Sequence, residues 1–199
     1  MTTLEQVDEA ARPAAGQSDI GVDVAAVCLR FILGIIVLGH GLQKAGWFKA
    51  PGWPTSISEQ ADFVGFFGYS DTNLMAWLIT ITEVAAGVLL LLGLLTPLAA
   101  AAVIGVGFQF AAGPQWDGGL FGNESTGGFD QSLILMFAGA ALGFIGAGRY
   151  SLDSRMPSSV PVRGWRAGAI AVALGVVVGA IVLIAFGVGL GGQPPIPEF

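Results

Sequence analysis

Charge is scarce in this chain. Asp, Glu, Lys and Arg make up 11% of the 199 residues, whereas the apolar set reaches 54%. A soluble domain carries about 25% charged residues because its surface faces water. So little polar surface cannot cover a globule of this size, and the mean hydropathy of +0.74 agrees. The length suits about one domain, and lipid must supply most of its solvent.

Sulfur and imidazole are scarcer still. Cys28 is the sole cysteine and His40 the sole histidine. One thiol forms neither an internal disulfide nor a dithiol relay, which excludes a self-sufficient thiol–disulfide oxidoreductase. Cys28 reads as a small packing residue. One histidine makes no two-His metal site, and the chain shows no ligand set for haem, flavin or an iron–sulfur cluster, so no bound metal or haem is expected. The formal charge is −6, with Glu5, Asp8, Glu9, Asp19 and Asp23 near the start. That leaves no basic face for nucleic acid. The leading region is acidic where a signal peptide is basic, and the following apolar stretch is too long for a signal core. No lipidation motif is visible. The glycine-rich stretch 113–128 lacks the Gly-Lys-Ser/Thr ending of a phosphate loop. Its Asp117 and Glu124, with Asp130, read as solvated acids rather than a cation site.

Long apolar runs are what the chain has in abundance. A helix needs about 20 mostly apolar residues to cross a bilayer, and five stretches qualify or come close: 22–42, 74–95, 97–112, 129–146 and 167–190. Thr96-Pro97 breaks the second from the third, since proline suits the first turn of a new helix. Runs such as Val84 to Leu90 lack the alternation of a membrane barrel strand, and isolated backbone in lipid must satisfy itself as helix. The reading is therefore all-α: an integral membrane helical bundle. Arg149, Arg155, Arg163 and Arg166 fall between the fourth and fifth spans, and Arg12 lies in the first tail. Lys44 and Lys49 alone mark the other side. By the positive-inside rule the N-terminus is cytoplasmic and the C-terminus external.

The connection after span one carries Trp47, Phe48, Trp53, Phe63, Phe66, Phe67 and Tyr69, rings that gather at membrane interfaces. Ser56 and Glu59 have capping-box spacing, which predicts a short helix over about 57–67. Gly139/Gly143 and Gly175/Gly179 are small-residue pairs that allow close helix approach, within a bundle or between copies.

Ionisable groups inside a membrane turn toward a bundle interior or a cavity. The spans hold Arg30, His40, Glu83 and Gln109, with Lys44 at the end of span one. At a rise of about 1.5 Å per residue, Arg30 lies about 12 Å from the cytoplasmic start of its span and Glu83 roughly 17–18 Å from the cytoplasmic end of its own. An Arg30–Glu83 pair is expected at the centre, either as interhelical glue or as a functional group. Gln109 falls near the depth of Glu83. His40 suits proton exchange, Lys44 either snorkels to the headgroups or joins the site, and Gln109 reads as an interhelical hydrogen bonder.

The order of motifs carries a resemblance. Arg30 precedes Leu38-Gly39-His40-Gly41 and Lys44, then comes Glu83-Val84-Ala85-Ala86-Gly87, then Gly127-Gly128-Phe129-Asp130, then Gly146-Ala147-Gly148-Arg149-Tyr150-Ser151-Leu152-Asp153. Over about 27–153 this resembles the DoxX family of small four-helix bacterial membrane proteins. Asp130 departs from the glutamate usual there. The spans and the resemblance together divide the chain into an acidic cytoplasmic tail (1–21), a four-helix DoxX-like domain (22–153), a basic cytoplasmic linker (154–166), a fifth transmembrane helix (167–190) and an external tail (191–199), the acidic tail and the fifth helix lying outside the family core. It implies a multi-pass protein of the bacterial plasma membrane.

Members of that family are linked to quinone-coupled oxidation, including a subunit of a thiosulfate:quinone oxidoreductase. Others are grouped with superoxide dismutase and a sulfurtransferase in an antioxidant complex. Two expectations follow. In one, the chain is a quinone-handling subunit of an oxidoreductase, with Glu83 and His40 exchanging protons and Arg30, Lys44 and Gln109 binding the quinone. In the other it is a non-catalytic accessory subunit of a respiratory or antioxidant complex. Both imply a lipid bilayer and other membrane protein subunits as partners.

Overall fold

The computed structural model describes residues 20–113, 115–122, 128–157 and 162–186. The acidic tail through Asp19, Glu124, the Gly127 of the fourth-span motif and the external tail lie outside the described residues. All regular structure among them is helical: α1 (Ile20–Lys44), α2 (Ile57–Phe66), α3 (Thr72–Leu92), α4 (Thr96–Ala112), α5 (Asp130–Ile145) and α6 (Trp165–Ala185).

Four of these helices close a ring. α1 packs along α3, α3 on α4, α4 on α5, and α5 returns to α1. α6 lies outside the ring against α4 and α5, and α2 folds over one end of the bundle against α3. The expected four-helix core plus one further helix is the arrangement found. On α1 the buried positions Ala26, Arg30, Leu33, Gly34, Val37, Gly41 and Lys44 form one helical stripe. Its opposite face carries exposed Val24, Phe31, Ile32 and Ile35. A surface as oily as the core is what a lipid environment requires, because only internal packing and polar contacts then distinguish inside from outside.

Three helices, α1, α3 and α6, are long and apolar enough to cross a membrane; α4 and α5 are shorter apolar helices. The 17 residues of α4 and 16 of α5 rise only about 26 and 24 Å, below the ~30 Å of a hydrocarbon core. Among the described residues after α5, several backbone donors are bonded inside the protein. The Asp153 N–H donates to Gly93 O at 2.8 Å and the Gly164 N–H to Phe144 O at 3.0 Å.

Small residues set the helix spacing. Gly41 lies against the backbone and side chain of Val84 and the Cβ of Glu83, and Gly87 lies against the backbone of Leu38. The glycines of the two motifs are thus reciprocal, each opening space for the other helix. Gly139 packs on Ile104 and Ala100, Gly143 on Ala171 and Gly168, Gly175 on Ala101 and Ile104, and Gly179 on Gly105 and Phe108. Both small-residue pairs are therefore used within the chain.

Ser56 caps α2, its Oγ accepting from the Glu59 N–H at 3.2 Å. Glu59 Oε2 in turn accepts from the Thr55 N–H at 2.6 Å and from the Thr55 hydroxyl at 3.0 Å. The sequence expectation of a capped helix near 57–67 holds to within a residue. Its inner face, Gln60, Ala61, Phe63 and Val64, is buried. Phe63 and Phe67 meet edge-on, with centroids 4.9 Å apart.

Candidate functional site

The expected Arg30–Glu83 pair does not form. α1 and α3 run antiparallel, with Gly34 beside Leu91 and Gly41 beside Val84. Arg30 therefore comes level with Gly93, at the end of α3, and Glu83 comes level with the last turn of α1. The eleven-residue step from Arg30 to Gly41 is about 16 Å along the helix axis. A rise of about 1.5 Å per residue gives Arg30 and Glu83 matching depths only when the two spans start at one level. Instead, the first turns of α1 run past the α3–α4 turn and pack on the segment after α5. There the Arg149 N–H donates to Asp23 Oδ1 at 2.8 Å.

Glu83 pairs with Lys44. Lys44 Nζ donates to Glu83 Oε2 at 2.7 Å and to Oε1 at 3.0 Å. Both side chains are about nine-tenths buried, so Lys44 turns inward rather than snorkelling. A buried pair of this kind costs desolvation on both sides, which the mutual attraction offsets only with good geometry. Two short contacts to one carboxylate supply that geometry.

This pair sits in the wall of a cavity of about 140 Å³ at the α2 end of the bundle. His40, Gln43, Gln60, Thr82 and Ser132 add polar groups to the lining, with Val37, Phe63, Phe67, Ala86 and Val103 as apolar walls. Gln43 is engaged, its Nε2 donating to Pro54 O at 3.1 Å. Ser132 donates to Gln115 Oε1 at 2.6 Å. Gln60 differs. It is fully buried, and neither Nε2 nor Oε1 of its amide has a hydrogen-bond partner in the protein. Leaving a buried polar group unmet costs about 1–3 kcal/mol, so such a residue calls for an explanation. The sequence reading missed Gln60. The signal was present, because Gln60 lies three or four residues from Ile57, Phe63 and Val64, on the apolar side of a short amphipathic helix.

Gln109 does not join this cavity. It is buried, but it lines a separate groove formed by α3, α4 and α6, where it faces the Tyr69 hydroxyl. Burial pushes the Tyr69 phenol up, and the nearby Gln109 side chain opposes this. The groove has walls from Met75, Ile79, Leu98, Leu174 and Val182, and it shares Thr82, Ala86, Ala102 and Val106 with the cavity.

Arg30 belongs to a second polar cluster at the opposite end. It is 2% exposed, and its Nη2 donates to Tyr150 O at 2.7 Å. The Asp153 carboxylate lies within electrostatic reach and accepts from two backbone N–H groups, Leu95 at 2.7 Å and Thr96 at 2.9 Å. A carboxylate there satisfies donors at the start of α4 and complements its dipole. Leu95 has φ +49°, and Gly93 has φ +62° in a spot where a Cβ would collide with the Arg30 guanidinium. The motif 146–153 is thus a latch that holds the α3–α4 turn, through Asp153, and Arg30 together.

Of the five residues expected at the site, His40, Lys44 and Glu83 converge on the cavity, Gln109 adjoins it through a shared wall, and Arg30 is remote. No group of three or more His, Cys, Asp or Glu side chains suited to a metal ion occurs among the described residues.

Comparison with curated proteins finds no match, and comparison with solved structures finds none. The family model for DoxX matches residues 25–111. That segment contains Arg30, His40, Lys44, Gln60, Glu83 and Gln109 and ends before α5, so the motifs at 127–130 and 146–153 fall beyond it. The cavity's ion pair lies inside the matched segment, and the chain is thus a helical membrane protein that carries a DoxX domain over residues 25–111.

Proposed function

We propose that this protein is the quinone-handling membrane subunit of a redox complex, and that the cavity beside Lys44 and Glu83 takes the quinone ring. The observation that carries this reading is a ring-sized space lined by an ion pair and an imidazole. A cavity near 150 Å³ accommodates benzene, so about 140 Å³ suits one six-membered ring. The adjoining apolar groove offers a course for a long hydrocarbon tail, and the two spaces share four wall residues.

A quinone supplies two-electron, two-proton chemistry. The protein's part is to hold the ring oxygens and to manage protons. Lys44 Nζ, bonded to both Glu83 oxygens and at 3.5 Å to His40 O, would turn one of these donors to a ring oxygen. His40 and Glu83 are the groups suited to take up and release protons there. In this reading the electrons come from a partner subunit. The Lys44 end of the bundle faces outward, because Arg149, Arg155, Arg163 and Arg166 all lie toward the other end.

Photo-labelling of the purified protein with an azido-quinone tests the reading. Labelled peptides from 37–44, 60–67 and 82–86 are expected, with labelling much reduced in a His40→Ala, Glu83→Gln double variant. Equal labelling of that variant and the wild type rejects the assignment.

A further inference from the structure

Independently of the quinone reading, we infer that the end of the bundle away from the cavity holds a site for an anionic phospholipid, with Arg149 and Arg163 on its phosphate. Charge at this end is one-sided. Arg149, Arg155, Arg163 and Arg166 are all exposed, and none is in an ion pair with a described residue. The acids of this end, Asp23 and Asp153, are buried. Their carboxylates accept from backbone, Asp23 from the Arg149 N–H and Asp153 from the Leu95 and Thr96 N–H groups. Among the described residues, no exposed acid is left there to meet the four guanidinium groups.

The backbone brings two of these arginines together. Asp23 holds the Arg149 N–H at 2.8 Å, and Arg30 holds the carbonyl of the next residue, Tyr150, at 2.7 Å. Arg163 arrives from the other segment. A Cβ on Gly146 would lie 2.7 Å from the Arg163 Cβ, and the neighbouring Gly164 N–H donates to Phe144 O at 3.0 Å. Only three residues separate that contact from Arg149.

Depth gives these charges a need for a partner. α5 rises about 24 Å over its 16 residues, which is about 6 Å short of a hydrocarbon core. The chain that leaves α5 therefore enters the headgroup boundary early, and ionisable groups near lipid are costly unless paired. Exposed Tyr150 and Trp165 are rings of the kind that settle at this boundary, with Arg149 over the first at 5.4 Å and Arg166 over the second at 5.6 Å. One helical turn farther into the bundle, Phe144 of α5 lies on Gly168 of α6 and is still exposed. A phosphodiester takes bidentate bonds from guanidinium groups, and its acyl chains continue onto this apolar seam. Basic pockets between membrane helices recognise anionic headgroups. A choline headgroup brings its own cation to the arginines, so it fits less well.

The experiment melts the full chain, purified in detergent and stripped of lipid, with dioleoyl phosphatidylglycerol, with dioleoyl phosphatidylcholine, or with inorganic phosphate. Phosphatidylglycerol is expected to raise the melting temperature at concentrations roughly tenfold or more below those phosphatidylcholine needs, and inorganic phosphate to leave it unchanged. In an Arg149→Gln, Arg163→Gln double variant the two lipids should act alike. Lys49→Gln, which removes a positive charge at the other end, should keep the wild-type preference. Without lipid the double variant should melt near the wild-type temperature, because both side chains are exposed. A wild type that responds equally to the two lipids overturns the inference, as does a preference that survives the double substitution or falls equally in Lys49→Gln. A shift produced by inorganic phosphate alone would assign the arginines to a free anion, and a clear lipid-free drop in the double variant would assign them to the fold; either result rejects the lipid site.

Discussion

At the residue scale, the central fact is that Glu83 is satisfied by one partner. Lys44 reaches both carboxylate oxygens, at 2.7 and 3.0 Å, inside the protein. Removing one member of such a pair leaves an uncompensated buried charge, which costs about 3–5 kcal/mol, whereas replacing both by apolar groups is often neutral. Lys44→Met is therefore expected to lower stability by about that amount. The Lys44→Met, Glu83→Leu double variant should recover most of the loss. Reversible denaturation of the four species in detergent, read as a double-mutant cycle, measures this. Two additive losses would show that the pair is not coupled. Arg30 follows a different logic. Its contacts are to a carbonyl and a nearby carboxylate at the latch, so it locks a turn rather than serving the cavity.

At the element scale, α1 and α3 approach closely because two glycines face each other's backbones. A Cβ at position 41 would lie 2.8 Å from the Val84 nitrogen and 3.1 Å from the Glu83 Cβ. Neither neighbour is the end of a flexible chain, so the helices must part. Gly41→Ala is expected to cost about 1–3 kcal/mol, the usual range for overpacking, and to weaken ring binding by loosening the Lys44–Glu83 contact. Thermal melting and calorimetry with a tail-free benzoquinone on one preparation test both effects. α2 adds a pH dependence. The backbone N–H and the hydroxyl of Thr55 hold the Glu59 carboxyl below the usual glutamate range, with a smaller contribution from Lys49. A depressed folded-state pKa means that the cap's support is present above the unfolded value and lost as pH falls through the folded one. Benzoquinone affinity should therefore decline in acid below the ordinary glutamate range as the start of α2, and the cavity wall with it, loosens. Glu59→Gln keeps a side-chain acceptor but does not titrate, so its acid decline should be shallower. Identical pH profiles would remove Glu59 from the account.

At the scale of the whole molecule, the architecture was legible in the sequence and the pairing was not. Apolar runs separated by Thr96-Pro97 and by glycine-rich turns marked five helices, and the Ser56/Glu59 spacing marked the sixth. Residue counting could not show that α1 runs past the end of α3, because helix offset depends on what the overhang packs against. Here that is the segment 146–153. Counting therefore placed Arg30 where Lys44 belongs, and it placed Gln109 at the cavity rather than in the neighbouring groove. The same division governs α6. No residue of α6 lines the cavity, whereas Leu174, Val178, Gly179 and Val182 line the groove. Gly175 is the contact that seats this helix, since a Cβ there would lie 2.6 Å from Ala101 O and 2.7 Å from the Ile104 Cβ. Gly175→Leu should push α6 off α4 and open the groove while leaving the four-helix ring and its ion pair in place. Tail-free quinone or quinol should then bind the variant as it binds the wild type. A long-chain quinone should lose most of the added affinity that its tail confers, a difference that calorimetry in nanodiscs resolves. If the tail's contribution survives Gly175→Leu, the chain of the ligand does not run between α3 and α6, and the groove has no part in binding.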